Sequence, residues 1–337
     1  MDNLDVLDTN KLIDRFGRQV TYVRLSVTDR CDFRCQYCMS ENMQFLPRQK
    51  LLTLEELASL GKTLSTMGVN KIRITGGEPL VRKNILWLFE QLGALEQIKD
   101  LTLTTNGSQL YKYAKNLKSA GVTRINISLD SLNTERFNKI TRTGNLNQVL
   151  KGIDAAIDAG FKKIKLNSVI MKNHNHDEIL DLVDFAVDRN IDISFIEEMP
   201  LGIINSHGRD KTYYSSDDVK RDIEQNYILN ASNKQTAGPS HYYDINNTGS
   251  SVGFISPHSH NFCESCNRVR VTAEGRLLLC LGQEHSVDLR DVIRRYPGDN
   301  EQLRNSLLQA MKIKPKSHEF DVNVEPIILR HMNMTGG

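Results

Sequence analysis

The sequence predicts an α/β protein built from parallel βαβ units, on three observations. Six short runs rich in β-branched residues recur: Tyr22–Val27, Lys71–Thr75, Leu101–Thr104, Arg124–Leu129, Lys163–Ile170 and Ile191–Glu197. The stretches between them carry apolar residues three and four apart, the period of a helix with one buried face. Single glycines, Gly121 in KSAGV and Gly160 in DAGF, sit where such a helix hands over to the next strand. Strands alternating with helices pair in parallel through right-handed crossovers. Six units are too few for a closed eight-stranded barrel and enough for an open, partial one. A doubly wound sheet shows the same alternation and stays open as the alternative.

The first strand, Tyr22–Val27, runs directly into a cysteine-rich loop. The first helix follows with Leu54, Leu57, Leu60 and Leu64 on one face, and Thr53 with Glu56 forms a capping-box pattern at its start. The second strand ends in Gly76-Gly77-Glu78-Pro79, a turn in which glycine permits close backbone approach and proline fixes the chain. A late helix carries Ile179, Leu182, Val183 and Ala186, and residues 205–235 read as loop plus helix. Beyond Gly238 the pattern changes to short runs, Tyr242–Ile245, Ser251–Ile255, Arg268–Thr272 and Arg276–Cys280, separated by turns such as NNTG and AEG. Helical stretches near Val287–Arg295 and Asn300–Lys312 precede a tail that ends in Met334-Thr335-Gly336-Gly337.

A chain of 337 residues with 39% hydrophobic residues has material for a sizeable core. Its net charge of +2 predicts no general attraction to nucleic acid or membrane, so an anion site must be a local cluster of cations. Met1–Gln19 is polar and lacks the basic-then-apolar build of a signal peptide, and no apolar run is long enough to span a membrane. The expectation is a soluble cytoplasmic protein.

The six cysteines form two triplets. Cys31, Cys35 and Cys38 are spaced C-x3-C-x2-C; Cys263 and Cys266 are spaced C-x2-C and followed by Cys280. Cytosolic cysteines so spaced are metal ligands more often than disulfides. Three thiolates suit a [4Fe–4S] cube with one iron left open. A zinc site of three cysteines and a histidine is the alternative. The segment Ser26–Gln49 has no histidine to offer, whereas His258, His260 or His285 could complete a zinc site at the second triplet.

Alternation along a strand puts residues two apart on one face. Arg268 and Arg270, Lys71 and Arg73, and Lys163 and Lys165 therefore form same-face basic pairs, and Arg24 shares a face with Ser26. A solvated face is the plain reading of one such pair. Three pairs near candidate cofactor loops point to a polyanion, for which Arg offers a planar fork. No Walker A motif is present to cradle phosphates, so cations would do that work.

The C-x3-C-x2-C loop with Tyr37 before its last cysteine, together with GGEP at the end of the second strand, resembles the radical S-adenosylmethionine (SAM) superfamily. The stretch FCESCNRVRVTAEGRLLLCL and the terminal Gly-Gly narrow the resemblance to the GTP 3′,8-cyclase family of molybdenum cofactor biosynthesis. That resemblance implies a partial TIM-type βα barrel of about six units (residues 1–235). A C-terminal β-containing element (residues 236–337) would close the open side and hold the second cluster, the GTP site and the Gly-Gly tail. It implies a first [4Fe–4S] cluster on Cys31, Cys35 and Cys38, with SAM held by Tyr37, Gly77, Ser128 and Met199. A second cluster would sit on Cys263, Cys266 and Cys280, and GTP would be held by Arg24, Arg73, Thr104, Lys165, Arg268, Val269 and Arg270. Arg268, Arg270, Gly336 and Gly337 would serve catalysis. By the same resemblance a 5′-deoxyadenosyl radical abstracts the 3′ hydrogen of GTP and the substrate radical closes on C8. An electron donor and hand-over of the product to cyclic pyranopterin monophosphate synthase are implied, with the chain a monomer or homodimer. Two rivals are another radical SAM enzyme with an auxiliary cluster, such as a peptide maturase, and a non-enzymatic metal-binding scaffold.

Overall fold

The computed structural model describes residues 10–204, 206–234, 236, 238–260, 262–318, 320 and 328–336. Among these, twelve strands form one sheet: β1 Tyr22–Ser26, β2 Lys71–Thr75, β3 Asp100–Thr105, β4 Val122–Ser128, β5 Ile164–Ile170, β6 Asp192–Glu197, β7 Leu229–Ala231, β8 His241–Ile245, β9 Ser251–Ile255, β10 Arg268–Val271, β11 Arg276–Leu278 and β12 Ser286–Asp288. Their order is β12-β11-β10-β1-β2-β3-β4-β5-β6-β9-β8-β7. β1 to β6 pair in parallel, and the run is extended at both ends, because β10 lies parallel to β1 and β9 parallel to β6. The C-terminal strands are thus continuations of both sheet edges, with β11–β12 and β8–β7 added antiparallel outside them.

The helices are α1 Leu54–Thr66, α2 Ile85–Gly93, α3 Leu110–Ser119, α4 Thr134–Thr141, α5 Leu146–Asp158, α6 Ile179–Asp188, α7 Arg209–Thr212, α8 Ser216–Ile223, α9 Leu289–Arg295, α10 Asn300–Lys312 and α11 Met332–Thr335. α1 starts on the capping box read from the sequence: Glu56 N–H donates to Thr53 Oγ1 at 3.1 Å, and Thr53 N–H to Glu56 Oε2 at 2.7 Å. Leu57, Leu60 and Leu64 are fully buried, each contributing roughly 1.5–3 kcal/mol through burial. Gly121 and Gly160 follow α3 and α5 with φ of +87° and +78°, the left-handed exit that glycine makes without strain. Val287 lies in β12, so the helix expected from Val287 begins at Leu289.

Alternation sorts each parallel strand into two faces. Val23, Leu25, Ile72, Ile74, Leu101, Leu103, Ile125, Ile127 and Leu166 belong to one hydrophobic core with residues of α1, α2, α3, α5, α6 and α10. The opposite face carries Arg24, Arg73, Thr104, Asn126, Lys165 and Arg270, and these line a chamber instead. A closed barrel fills this face with Val, Ile and Leu; here it is polar and cationic. Strands from both ends of the parallel run, Arg268 and Arg270 of β10 and Ile255 of β9, line the same chamber, so the sheet curls into an open barrel. None of the described helices is long and apolar enough to cross a membrane.

Candidate active site

All six cysteines line this one chamber, whose empty space is about 2070 Å³ with the open mouth included. Cys31, Cys35 and Cys38 lie on the loop after β1. N–H donors meet two of the three sulfurs: Phe33 N–H points at Cys31 Sγ at 3.3 Å, Asn106 Nδ2 at the same atom at 3.7 Å, and Asn333 N–H bonds to Cys38. Burial pushes all three thiols up, Cys38 to about 12, and for Cys31 and Cys35 the neighbouring sulfurs and carboxylates add to it. A cationic iron core reverses that preference, and the N–H donors are already aimed at the thiolates it would bind.

The Gly76-Gly77-Glu78 turn is zipped to the loop that leads into Cys31. Gly77 N–H donates to the Thr28 carbonyl at 2.7 Å and Glu78 N–H to the Arg30 carbonyl at 2.8 Å. A Cβ on Gly77 would lie 2.4 Å from the Arg30 carbonyl oxygen, and one on Gly76 2.7 Å from that of Thr28. The glycines are therefore required by main chain approaching main chain. Glu78, fully buried, accepts from Leu80 N–H, Thr105 Oγ1 and Asn106 N–H at 2.6–2.9 Å. Burial lifts its carboxyl to about 8 in spite of these bonds. Through Asn106 it fixes the amide beside Cys31. Tyr37 donates to Asp130 Oδ2 at 2.7 Å, and Asp130 Oδ1 accepts from Val169 N–H at 2.9 Å, which ties the first triplet to β5; burial raises the Asp130 carboxyl to about 6. Ser128 and Met199 line the chamber beside these groups.

The second triplet has the same design. His318 N–H donates to Cys263 Sγ at 3.5 Å, Lys314 Nζ to Cys266 Sγ at 3.7 Å, and Gly282 N–H bonds to Cys280. Burial opposes ionisation of Cys266, but Lys314 and then Arg268 outweigh it and hold this thiol below its ordinary value. The three histidines that the sequence offered for a zinc site are engaged elsewhere, His258 with the Glu198 carbonyl, His260 with Asp217 and His285 with Gln283; the histidine at the triplet is His318, whose Nε2 is buried on the chamber wall without a partner. A zinc ion needs its sulfurs about 2.3 Å away, whereas a cube receives each cysteine on a different iron. The two donor sets fit clusters.

Between the triplets run two lateral rows fixed by strand register. One reads Arg270–Arg24–Arg73–Thr102–Arg124 across β10, β1, β2, β3 and β4, and the other Arg268–Tyr22–Lys71–Asp100. Arg73 donates to Tyr22 Oη at 2.6 Å and to Thr104 Oγ1 at 3.1 Å, and Lys165 to Tyr242 Oη at 3.2 Å. Burial and the neighbouring guanidiniums hold Arg24 well below its ordinary value and bring Arg270 to about 10. Like charges this close repel, and a polyanion relieves them. Val269 alternates away into the hydrophobic core, so it offers the chamber only main chain. Lys163 lies outside β5 and is exposed, which breaks the expected pair with buried Lys165. Lys71 is spent on Asp100 at 2.6 Å.

The tail enters the same space. Met332 N–H donates to the Cys38 carbonyl at 3.1 Å and Asn333 Nδ2 to the Asp29 carbonyl at 2.9 Å. The Gly336 carbonyl accepts from Arg24 Nε at 3.1 Å and Arg270 Nη1 at 3.3 Å. Gly337 lies outside the described residues.

Sequence reasoning missed Arg124, Asn126, Asn167, Asp130, Glu78, Lys314 and Tyr22. Period two within RINIS, where polar Arg124, Asn126 and Ser128 interrupt apolar Ile125 and Ile127, was the signal available. Arg124 Nε, Asn126 Oδ1 and Asn167 Oδ1 are buried without a hydrogen-bond partner on the chamber wall, as expected of groups that await a ligand.

Residues 25–186 match the radical SAM superfamily, and residues 191–320 match the C-terminal domain family of molybdenum cofactor synthesis. GTP 3′,8-cyclase of Saccharophagus degradans is 60% identical over 98% of this chain and the whole of its own length. That of Ectopseudomonas mendocina is 58% identical with the same coverage. Streptococcus suis SuiB, solved bound to S-adenosylmethionine, shares the fold at a TM-score of 0.62 over 95% of this chain and 79% of its own, with 16% identity. With relatives this similar along its whole length, the chain belongs to the GTP 3′,8-cyclase family of radical SAM enzymes.

Proposed function

We propose that this chain cyclises GTP to 3′,8-cyclo-7,8-dihydro-GTP, the first step of molybdenum cofactor biosynthesis, with two [4Fe–4S] clusters and SAM. The supporting observation is one chamber that both cysteine triplets and the cation rows line together. Cys31, Cys35 and Cys38 would hold the first cluster and Cys263, Cys266 and Cys280 the second. When bound, the first cluster and SAM supply the one-electron chemistry that removes the 3′ hydrogen of the substrate.

The chain's own contribution is placement. Tyr37, the Gly77 main chain, Ser128 and Met199 form the wall for SAM. Arg24, Arg73, Lys165, Arg268 and Arg270 bind the triphosphate, Thr104 orients Arg73, and the Val269 main chain lies between the two arginines. Burial of these cations excludes water, strengthening each contact with the anion and holding the reacting atoms in one geometry. Gly336 and Gly337 act in catalysis through the tail. An external one-electron donor, hand-over to cyclic pyranopterin monophosphate synthase, a cytoplasmic setting and a monomer or homodimer complete the proposal, supported by the chain's relationship to its family. The peptide-maturase reading has only the fold of SuiB behind it, and the scaffold reading leaves the cation rows unexplained.

Anaerobic reconstitution is expected to give about eight irons and eight sulfides per chain and, with GTP and SAM, the cyclic nucleotide. One cluster and one zinc would sink the two-cluster part, and SAM cleavage without a nucleotide product the cyclase part. Arg268→Ala or Arg270→Ala is expected to weaken GTP binding while SAM binding stays near normal. A lost charge-assisted contact is worth about 1.5–3 kcal/mol, roughly ten- to a hundredfold in Kd. Unchanged GTP affinity in both variants would remove these residues from the site.

A further inference from the structure

One buried group in the cation rows has no part in that function. Tyr22 is 2% exposed, and strand register sets it between Arg268 on β10 and Lys71 on β2. Arg73 Nε lies 2.6 Å from its hydroxyl, Lys71 Nζ 5.2 Å from its ring centroid, and Arg24 two residues on shares its face. Four cations on three strands thus surround one phenol. The carboxylate in this row, Asp100 on β3, is already bound to Lys71 at 2.6 Å, and the second bond of Lys71 goes to the Thr236 carbonyl.

We propose that Tyr22 is the resident counter-ion of the anion site, holding and neutralising Arg73 before substrate binds and yielding it to the incoming triphosphate with uptake of one proton from solvent. The inference rests on the GTP reading and adds a positioning residue to it. The proton joins the phenolate oxygen, and no other bond changes. Burial alone would raise the phenol, but the pull of Arg73, then of Arg24, Lys71 and Arg268, outweighs it and brings the group to about 7. A polyanion beside the ring cancels that pull and restores the neutral phenol. Above pH 7 binding must therefore take up a proton, and affinity falls as pH rises.

The test compares the reconstituted wild type with Tyr22→Phe by tyrosinate absorbance and by GTP affinity between about pH 6 and 8.5, an interval in which an ordinary tyrosine is almost wholly neutral. Tyr242, which burial would raise but the charge and hydrogen bond of Lys165 help bring down to about 8, is kept apart by a parallel Tyr242→Phe variant. The wild type should show one tyrosinate more than Tyr22→Phe, and GTP should abolish it. Its Kd for GTP should weaken about tenfold from pH 7 to 8.5 relative to the variant, in which only the γ-phosphate's own ionisation is left. Equal tyrosinate content, or parallel affinity curves, would overturn the proposal. Should the variant fail to load its clusters, loss of tyrosinate on adding GTP is read in the wild type alone, and its absence overturns the proposal too. A wild type that binds no GTP at any pH would defeat the cyclase reading instead, while the tyrosinate comparison still decides whether Tyr22 is a counter-ion.

Discussion

Replacing Cys31, Cys35 or Cys38 with Ala is expected to abolish SAM cleavage, whereas replacing Cys263, Cys266 or Cys280 should leave uncoupled SAM cleavage and abolish cyclisation. The division follows from what surrounds each triplet. The first is joined to the Gly77 turn and, through Tyr37 and Asp130, to β5 beside Ser128 and Met199. The second lies against Arg268 and Lys314, in the part of the chamber that the cations make anionic-ligand territory. Methionine fragments and nucleotide product measured in parallel separate the two outcomes, with iron content and far-UV circular dichroism confirming that each variant folds and retains its other cluster. Identical behaviour of both sets in folded protein would refute the division of labour. The effect is expected to be near total in each case, because each cluster hangs on three thiolates and alanine offers no ligand in place of the one removed.

Much of this site was legible because its chemistry sits in short, fixed spacings. Both triplets, the Gly76-Gly77 turn, Arg24, Arg73, Lys165 and Arg270 all reach one chamber. The parallel alternation of strands and helices was legible for the same reason, since each βαβ unit is local. The places of β9 and β10 were not. Each joins a parallel strand far back in the chain, β6 and β1, and nothing in SVGFI or RVRV specifies which edge it extends. Contacts made by loops were hidden for a related reason. Glu78 reads as part of a turn motif, yet its carboxyl fastens β3's exit to the turn after β2 while its main-chain N–H holds that turn to the cysteine loop. Tyr22 reads as an ordinary strand aromatic until register sets it between two cations. Lys163 errs in the other direction: period two paired it with Lys165, but the strand begins one residue later and leaves it in solvent.

Deleting Gly336 and Gly337 is expected to leave folding, cluster content and GTP binding largely intact while cyclisation falls by about a hundredfold. The deletion removes no side chain from the hydrophobic core, and α11 keeps its anchors, Met332 on the Cys38 carbonyl and Asn333 on that of Asp29. What it removes is the Gly336 carbonyl from between Arg24 Nε and Arg270 Nη1. Two bonds to charged donors are worth about 1.5–3 kcal/mol each, and losing them frees two guanidiniums to take other poses around the anion. Binding tolerates that freedom, because either pose attracts phosphate; closing a ring between C3′ and C8 does not, because it needs one geometry. Glycine is required here on two counts. Gly336 sits at φ +84°, and a Cβ on it would lie 2.6 Å from Thr75 Oγ1. Gly336→Ala is therefore expected to lose cyclisation without any truncation, and a synthetic peptide with the native ending should restore part of the truncated enzyme's activity at millimolar concentration, about the effective concentration that a short tether supplies. Product formation, GTP affinity and iron content measured on the three proteins decide the matter: a truncated enzyme with full cyclisation would show the Gly-Gly ending to be incidental to the reaction.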